Sequence, residues 1–218
     1  MPFALTPARK GTTLVELLMI IGIIAVLALL AFSALNTMRE RAKAAKCLTN
    51  LKTIGGAFLA YAADQNGYLP QVHRGTRNLQ HWYYNPDLVR LLGHPTGNPW
   101  SETVFTFLCD QDPVAKKDFS KDGHTRFLSY GANITLGSGD MGGTYLLLRL
   151  TSLATPSRTL LAADANDYNL RKRDGSFGSE VEYRHHGGAN AVFCDGHAEW
   201  KKRPLPKETE NRALWYAY

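Results

Sequence analysis

Cysteine is scarce in this chain: Cys47, Cys109 and Cys194 are the only three in 218 residues, and no two form a CxxC pair. That spacing excludes zinc-ribbon and thioredoxin-type motifs. Cys109 and Cys194 form a candidate disulfide if the C-terminal part lies outside the cytoplasm, leaving Cys47 free; three unpaired buried thiols are the other outcome. Acidic side chains are also few, 19 against 25 Lys and Arg, giving a formal charge of +6. Such an excess suits nucleic acid or anionic lipid when it is clustered. Here it is scattered, as Arg9-Lys10, Arg39 to Lys46, Lys116-Lys117, Arg171 to Arg173 and Lys201 to Arg203. With no helix-turn-helix or zinc-finger spacing either, no nucleic-acid partner is expected. Also missing are GxSxG and HExxH, so no hydrolase nucleophile or zincin helix is set up. There is no internal repeat and no low-complexity linker. What remains is a globular composition, 44% hydrophobic and 20% charged, with room for one domain plus appendages.

The chain does hold one long apolar run, Leu14 to Leu35, in which Glu16 is the only charge. At about 1.5 Å per residue it can cross a hydrocarbon core of roughly 30 Å. It shows no polar face of the kind that a core helix of a soluble protein carries. Two readings stay open on these residues: a secretory signal cleaved near Phe32-Ser33-Ala34, and an uncleaved anchor. Neither explains Glu16. An acidic side chain at the centre of a membrane helix costs about 2.5 to 3.5 kcal/mol, less near an end, and such a residue calls for a partner.

A third reading comes from resemblance. The segment "KGTTLVELL" resembles the type IV prepilin signal, a basic residue and glycine followed by an apolar helix with glutamate at the fifth mature position. The resemblance implies that prepilin peptidase cuts between Gly11 and Thr12 on the cytoplasmic side and methylates the new amino terminus. It implies further that Glu16 pairs with the terminal amine of a neighbouring subunit during assembly. The family usually begins its mature chain with Phe, where this sequence has Thr12. The implied layout is a leader at 1–11, a transmembrane helix at 12–35, an amphipathic continuation at 36–66 and an extracytoplasmic domain at 67–218. The chain would then sit in the inner membrane as a single-pass pilin or pseudopilin. Its partners would be other such subunits, in a type II secretion or type IV pilus-like machine.

Past Leu35, small or apolar residues recur three or four apart, at Met38, Ala42, Ala45, Leu48, Leu51, Ile54, Phe58 and Tyr61. That period predicts a helix continuing to about Asp64, closed by "DQNGYLP". Gly55-Gly56 predicts a bend, at about 1 kcal/mol of helix propensity per glycine. Residues 87–93 predict a short helix ended by Gly93. Val104 to Cys109, "RFLSYGANITLG", "GTYLLLRLTSL", "RTLLAADA", "VEYRHH" and "NAVFCDGHAEWK" read as short β-rich runs between turns. The fold class expected is α+β, a long N-terminal helix whose second half packs on a small antiparallel sheet.

The C-terminal "RHHGGANAVFCDGHAEW" carries two readings. As structure, Asp195-Gly196 is the type I′ turn of a hairpin between Ala191–Cys194 and His197–Trp200. As chemistry, His185, His186, Asp195 and His197, with Asp164 after "TLLAA", are metal-capable types. Asp164, Asn166 and Asp167 offer oxygens for calcium. Their spacing fits no established ligand pattern, and no cofactor or metal is expected. The segment is similar to the H-X9-DG segment at the C-terminus of many prepilin-like proteins, with nine residues between His185 and Asp195-Gly196. "SYGAN" and "ATPSRTLLAAD" accompany it, and Cys109 stands where such proteins often have Cys-Pro. The function implied is a non-enzymatic filament subunit. The alternatives are a membrane-anchored extracytoplasmic enzyme or binding domain using the His/Asp cluster, and a surface-binding module built on Trp82, Tyr83, Tyr84 and Trp100.

Overall fold

Thr13 starts the first helix by capping it: its hydroxyl accepts a hydrogen bond from the Glu16 amide at 3.2 Å. In this computed structural model, which describes residues 11–72, 82–93, 108–112, 129–137, 147–170, 181–206 and 211–215, that helix, α1, runs over Leu14–Asp64. It ends in the turn expected of "DQNG", with Asn66 and Gly67 at positive φ and the Gly67 amide bonded to the Ala62 carbonyl at 2.7 Å. The predicted bend at Gly55-Gly56 is replaced by unbroken helix. Gly55 has another reason to be there: a Cβ on it would lie 2.5 Å from Val192 Cγ2, whereas one on Gly56 would meet nothing.

The chain divides into two compact units, residues 1–42 and 43–218. In the first, the large apolar side chains from Leu14 to Met38 are exposed, Leu14 at 76% and Leu29 at 74%. This is the one helix among the described residues long and apolar enough to cross a membrane.

The second unit holds a short helix α2 (Pro86–Leu91), capped by the Asn85 side chain, and five strands. These are β1 (Tyr130–Asn133), β2 (Leu160–Asp164), β3 (Asn169–Leu170), β4 (Gly188–Phe193) and β5 (Ala198–Lys202), followed by a single helical turn, α3 (Arg212–Trp215). Sheet order is β3-β1-β2-β4-β5. The fold is therefore α+β, but the sheet is mixed: β1 and β3 are parallel and the other pairs antiparallel. The crossover from β2 returns the chain to the far side of β1, which fixes that parallel pairing. "GTYLLLRLTSL" supplies no strand where it is described; Leu150–Ser152 is a 3-10 turn, and Arg149 makes a lone bridge to Tyr68. "VEYRHH" is limited to single bridges at Val181 and His185. The strand expected from Val104 lies outside the described residues up to 107, and Cys109 leads into a turn at 110–111.

Every residue of β4 is buried, because both faces of the sheet are covered. Val192 and Cys194 belong to one apolar cluster with Cys47, Leu51, Ile54 and Phe58. Ala189, Ala191 and Phe193 alternate into a second, with Leu205, Leu214 and Trp215. Trp82 and Tyr83, offered as binding aromatics, are 2% and 6% exposed. Trp82 packs on Phe58 at 5.7 Å and donates to the Tyr168 carbonyl. Trp100 lies outside the described residues.

Candidate functional site

His185 sits where three chain segments converge. Cys47 comes from α1, Cys109 from segment 108–112 and Asp164 from the end of β2, and all four side chains are fully buried. The imidazole is placed by its own backbone. His185 and Gly188 exchange both amide-to-carbonyl hydrogen bonds, each 3.0 Å. The residues between them, His186 and Gly187, have φ of 51° and 74°. Positive φ at both central positions is the mark of a primed two-residue turn. Trp200 Nε1 then holds the His185 carbonyl at 2.7 Å.

Segment 108–112 is fixed as firmly. The Cys109 amide donates to Ser129 Oγ at 3.0 Å, and Asp112 forms a buried ion pair with Arg184 at 3.1 Å. The same guanidinium donates to the Ser129 and Ala165 carbonyls. These contacts deliver Gln111, whose Oε1 meets His185 Nδ1. An amide oxygen only accepts, so Nδ1 carries a proton.

The other ring nitrogen, Nε2, lies 3.3 Å from Asp164 Oδ2 and 3.6 Å from Cys109 Sγ. Asp164 Oδ2 also accepts from the Asn190 amide at 2.6 Å. Its Oδ1 is buried with no hydrogen-bond partner among the described residues. One donor atom each from Cys47, Cys109 and His185 lie within 4.8 Å of one another.

Electrostatics follow from this crowding. A hydrogen bond from Cys109 holds the Cys47 thiol down at about 4 against the opposing effect of burial, with His185 adding to the effect. The Cys109 thiol is pushed up, first by giving that hydrogen bond and then by burial. Burial works to lower the imidazole, but the hydrogen bonds to Asp164 and Cys47 outweigh it and raise His185 to about 9. Burial raises Asp164 despite its bond to His185. The result favours a thiolate–imidazolium pair beside a second thiol and a carboxyl group.

The residues singled out in the sequence thus separate. His185 and Asp164 come together; Asp195 and His197 stay on the exposed hairpin, side chains 36% and 41% accessible. Asp195 Oδ1 accepts from the His197 amide and meets its Nδ1, and the His197 ring stacks on Phe193 at 4.4 Å. Burial opposes ionisation of Asp195, yet the His197 contacts hold its carboxyl below the usual value. The type I′ turn expected at Asp195-Gly196 is instead a three-residue loop. Gly196 alone has positive φ, 91°, its amide bonds to the Phe193 carbonyl, and the Phe193 amide bonds to the His197 carbonyl. The primed turn lies nine residues earlier, at His186-Gly187. Cys109 also stands beside Cys47 rather than pairing with Cys194, and all three thiols are free. The sequence reading missed Cys47, Cys109 and Gln111 as members of the site. The signal for Cys47 was its place four residues before Leu51 and seven before Ile54, on the buried stripe of α1.

At the other end, Glu16 occupies the third position of α1, with Thr13 as the cap. Thr13-x-x-Glu16 is the capping-box pattern, and a carboxylate there complements the helix dipole. Gly11 and Thr12 precede the helix as exposed, irregular chain. Comparison with known proteins returned nothing: no protein-family model, no curated protein and no solved structure matches the chain.

Proposed function

We propose that this chain is a membrane-anchored structural subunit, of the pilin or pseudopilin kind, that polymerises through α1 and carries out no catalysis. The observation that supports this most is the first unit. Its apolar side chains are exposed all round the helix, so they need lipid before assembly and neighbouring helices after it. In this reading a prepilin peptidase cuts after Gly11, and the freed, methylated amine of Thr12 becomes the partner of Glu16 on the next subunit. Glu16 suits that role because it lies in the first helical turn, where hydrocarbon burial costs least. The second half of α1 serves as the cover of one sheet face, as suggested by the cluster that Cys47, Leu51, Ile54 and Phe58 share with Leu161 and Val192. The machine is of the type II secretion or type IV pilus class, with the globular unit outside the inner membrane.

The test is amino-terminal sequencing of the mature protein together with the variant Glu16→Ala. A mature chain beginning at Thr12, with the variant inserted and cleaved but left out of filaments, is the expected result. A mature chain beginning near Leu35, or normal assembly by the variant, overturns the reading.

A further inference from the structure

We infer that Cys47, Cys109 and His185 bind a single thiophilic divalent cation of the zinc class, with the Asp164 carboxylate beside His185. This site stands apart from the filament reading and needs no part of the first unit.

Its argument begins with ligand type. Two thiols and an imidazole are a set that selects zinc over the oxygen-seeking cations. Geometry comes next. Zinc bonds of about 2.3 Å to sulfur and 2.0–2.1 Å to nitrogen or oxygen, in a tetrahedron, separate sulfur from nitrogen by about 3.6 Å and nitrogen from oxygen by about 3.3 Å. Nε2 lies 3.6 Å from Cys109 Sγ and 3.3 Å from Asp164 Oδ2. The third observation is the tautomer. Gln111 Oε1 accepts from Nδ1, as the outer partner of a metal-bound histidine does, and Nε2 faces a thiol and a carboxylate, able to ligate once its proton is displaced. Asp164 supplies the fourth observation: its Oδ2 faces Nε2 while accepting from the Asn190 amide, and its other oxygen, Oδ1, is buried with no partner among the described residues. A buried polar atom of this kind needs an explanation, and an ion is one.

Because all the donors are fully buried, the site is closed, as structural zinc sites are. The cation would join α1, segment 108–112 and the turn before β4. Binding displaces the Cys109 thiol proton and the His185 Nε2 proton to solvent, so affinity falls as pH falls.

Full-length protein in detergent, kept anaerobic and reduced, is given Zn²⁺ or Co²⁺ and then dialysed against metal-free buffer. One equivalent should remain, and cobalt should show a near-ultraviolet thiolate charge-transfer band and the intense visible bands of four-coordination. Cys47→Ser and Cys109→Ser should each weaken binding by more than the roughly 10–100-fold that loss of an outer partner costs, and Gln111→Ala by about that amount. The double variant Asp195→Asn/His197→Ala should keep both metal and spectrum. Where a cysteine variant does not fold, the wild-type cobalt spectrum decides alone. The proposal is overturned if the wild type keeps no metal, or if the thiolate band is absent or survives both cysteine variants. It is equally overturned if protein taken from its own compartment without reductant lacks metal and has a mass lower by two hydrogens, with Cys47 and Cys109 joined.

Discussion

At His185 a single imidazole is pressed between a carboxylate and two thiols, and the proton inventory there has a measurable consequence. Take the reduced, metal-free chain. Cys47 is depressed to about 4 in the fold from about 8.5 in an unfolded chain. Its contribution is therefore fully present above that higher value and is lost as pH falls through about 4. His185 is raised to about 9 from about 6.5, so its contribution is fully present below 6.5 and is lost as pH rises through 9. From about 6.5 upwards folded and unfolded states bind nearly equal numbers of these protons and the two slopes cancel. Between about 4 and 6.5 the unfolded state holds one more, so stability rises with pH there. Urea unfolding across pH 4–8 should show this rise as the difference between the wild type and Cys47→Ser, because the opposing contribution of Asp164, raised by burial, is present in both. A second expectation concerns His186, a β-unbranched residue at φ 51°. His186→Val, a branched side chain in left-handed backbone, should cost about 1–2 kcal/mol, and His186→Gly should cost nothing or stabilise, read by denaturant midpoint. The metal-capable types at His185 and Asp164 were legible in the sequence; their union with Cys47 and Cys109 was not, because no local spacing encodes a meeting of residues so far apart.

Among the elements, α1 gives the sharpest contrast. Two adjacent glycines look equivalent in sequence, and both lower helix propensity by about 1 kcal/mol. Only Gly55 faces Val192 at a distance that leaves no room for a methyl group. Gly56→Ala should therefore stabilise by up to about 1 kcal/mol, and Gly55→Ala should lose about 1–3 kcal/mol by overpacking despite the same propensity gain. Thermal unfolding of the two variants separates them. The length of α1, the short helix after Asn85 and the strands at "YGAN", "LLAAD" and "AVF" were readable from period and composition. The misplaced primed turn has a physical cause. Asp195 uses its carboxylate to accept from the His197 amide, and Cys194 is drawn out of the hairpin to bond the Thr159 carbonyl. Three residues are then left to turn instead of two. The parallel β1–β3 pairing was beyond reach because β3 has only two residues among those described, too few to leave a pattern.

For the molecule as a whole, the division at 42/43 sets a simple expectation. Full-length protein should partition into a detergent phase, and a chain beginning at residue 43 should stay in water with an unfolding transition within a few degrees of the parent's. Aggregation of that shorter chain would show that the globular unit depends on residues 1–42. The apolar run and Glu16 were plain in the sequence, but the capping role of Thr13 emerges only from the hydrogen bond to Glu16. A further consequence lies at the margins of the sheet. An open strand edge is a template on which another copy of a chain can add a strand. Here the outer strand β5 reads "AEWKK", with Glu199 and Lys201 paired at 2.7 Å. The charged pair on β5 discourages strand addition at that edge of the sheet.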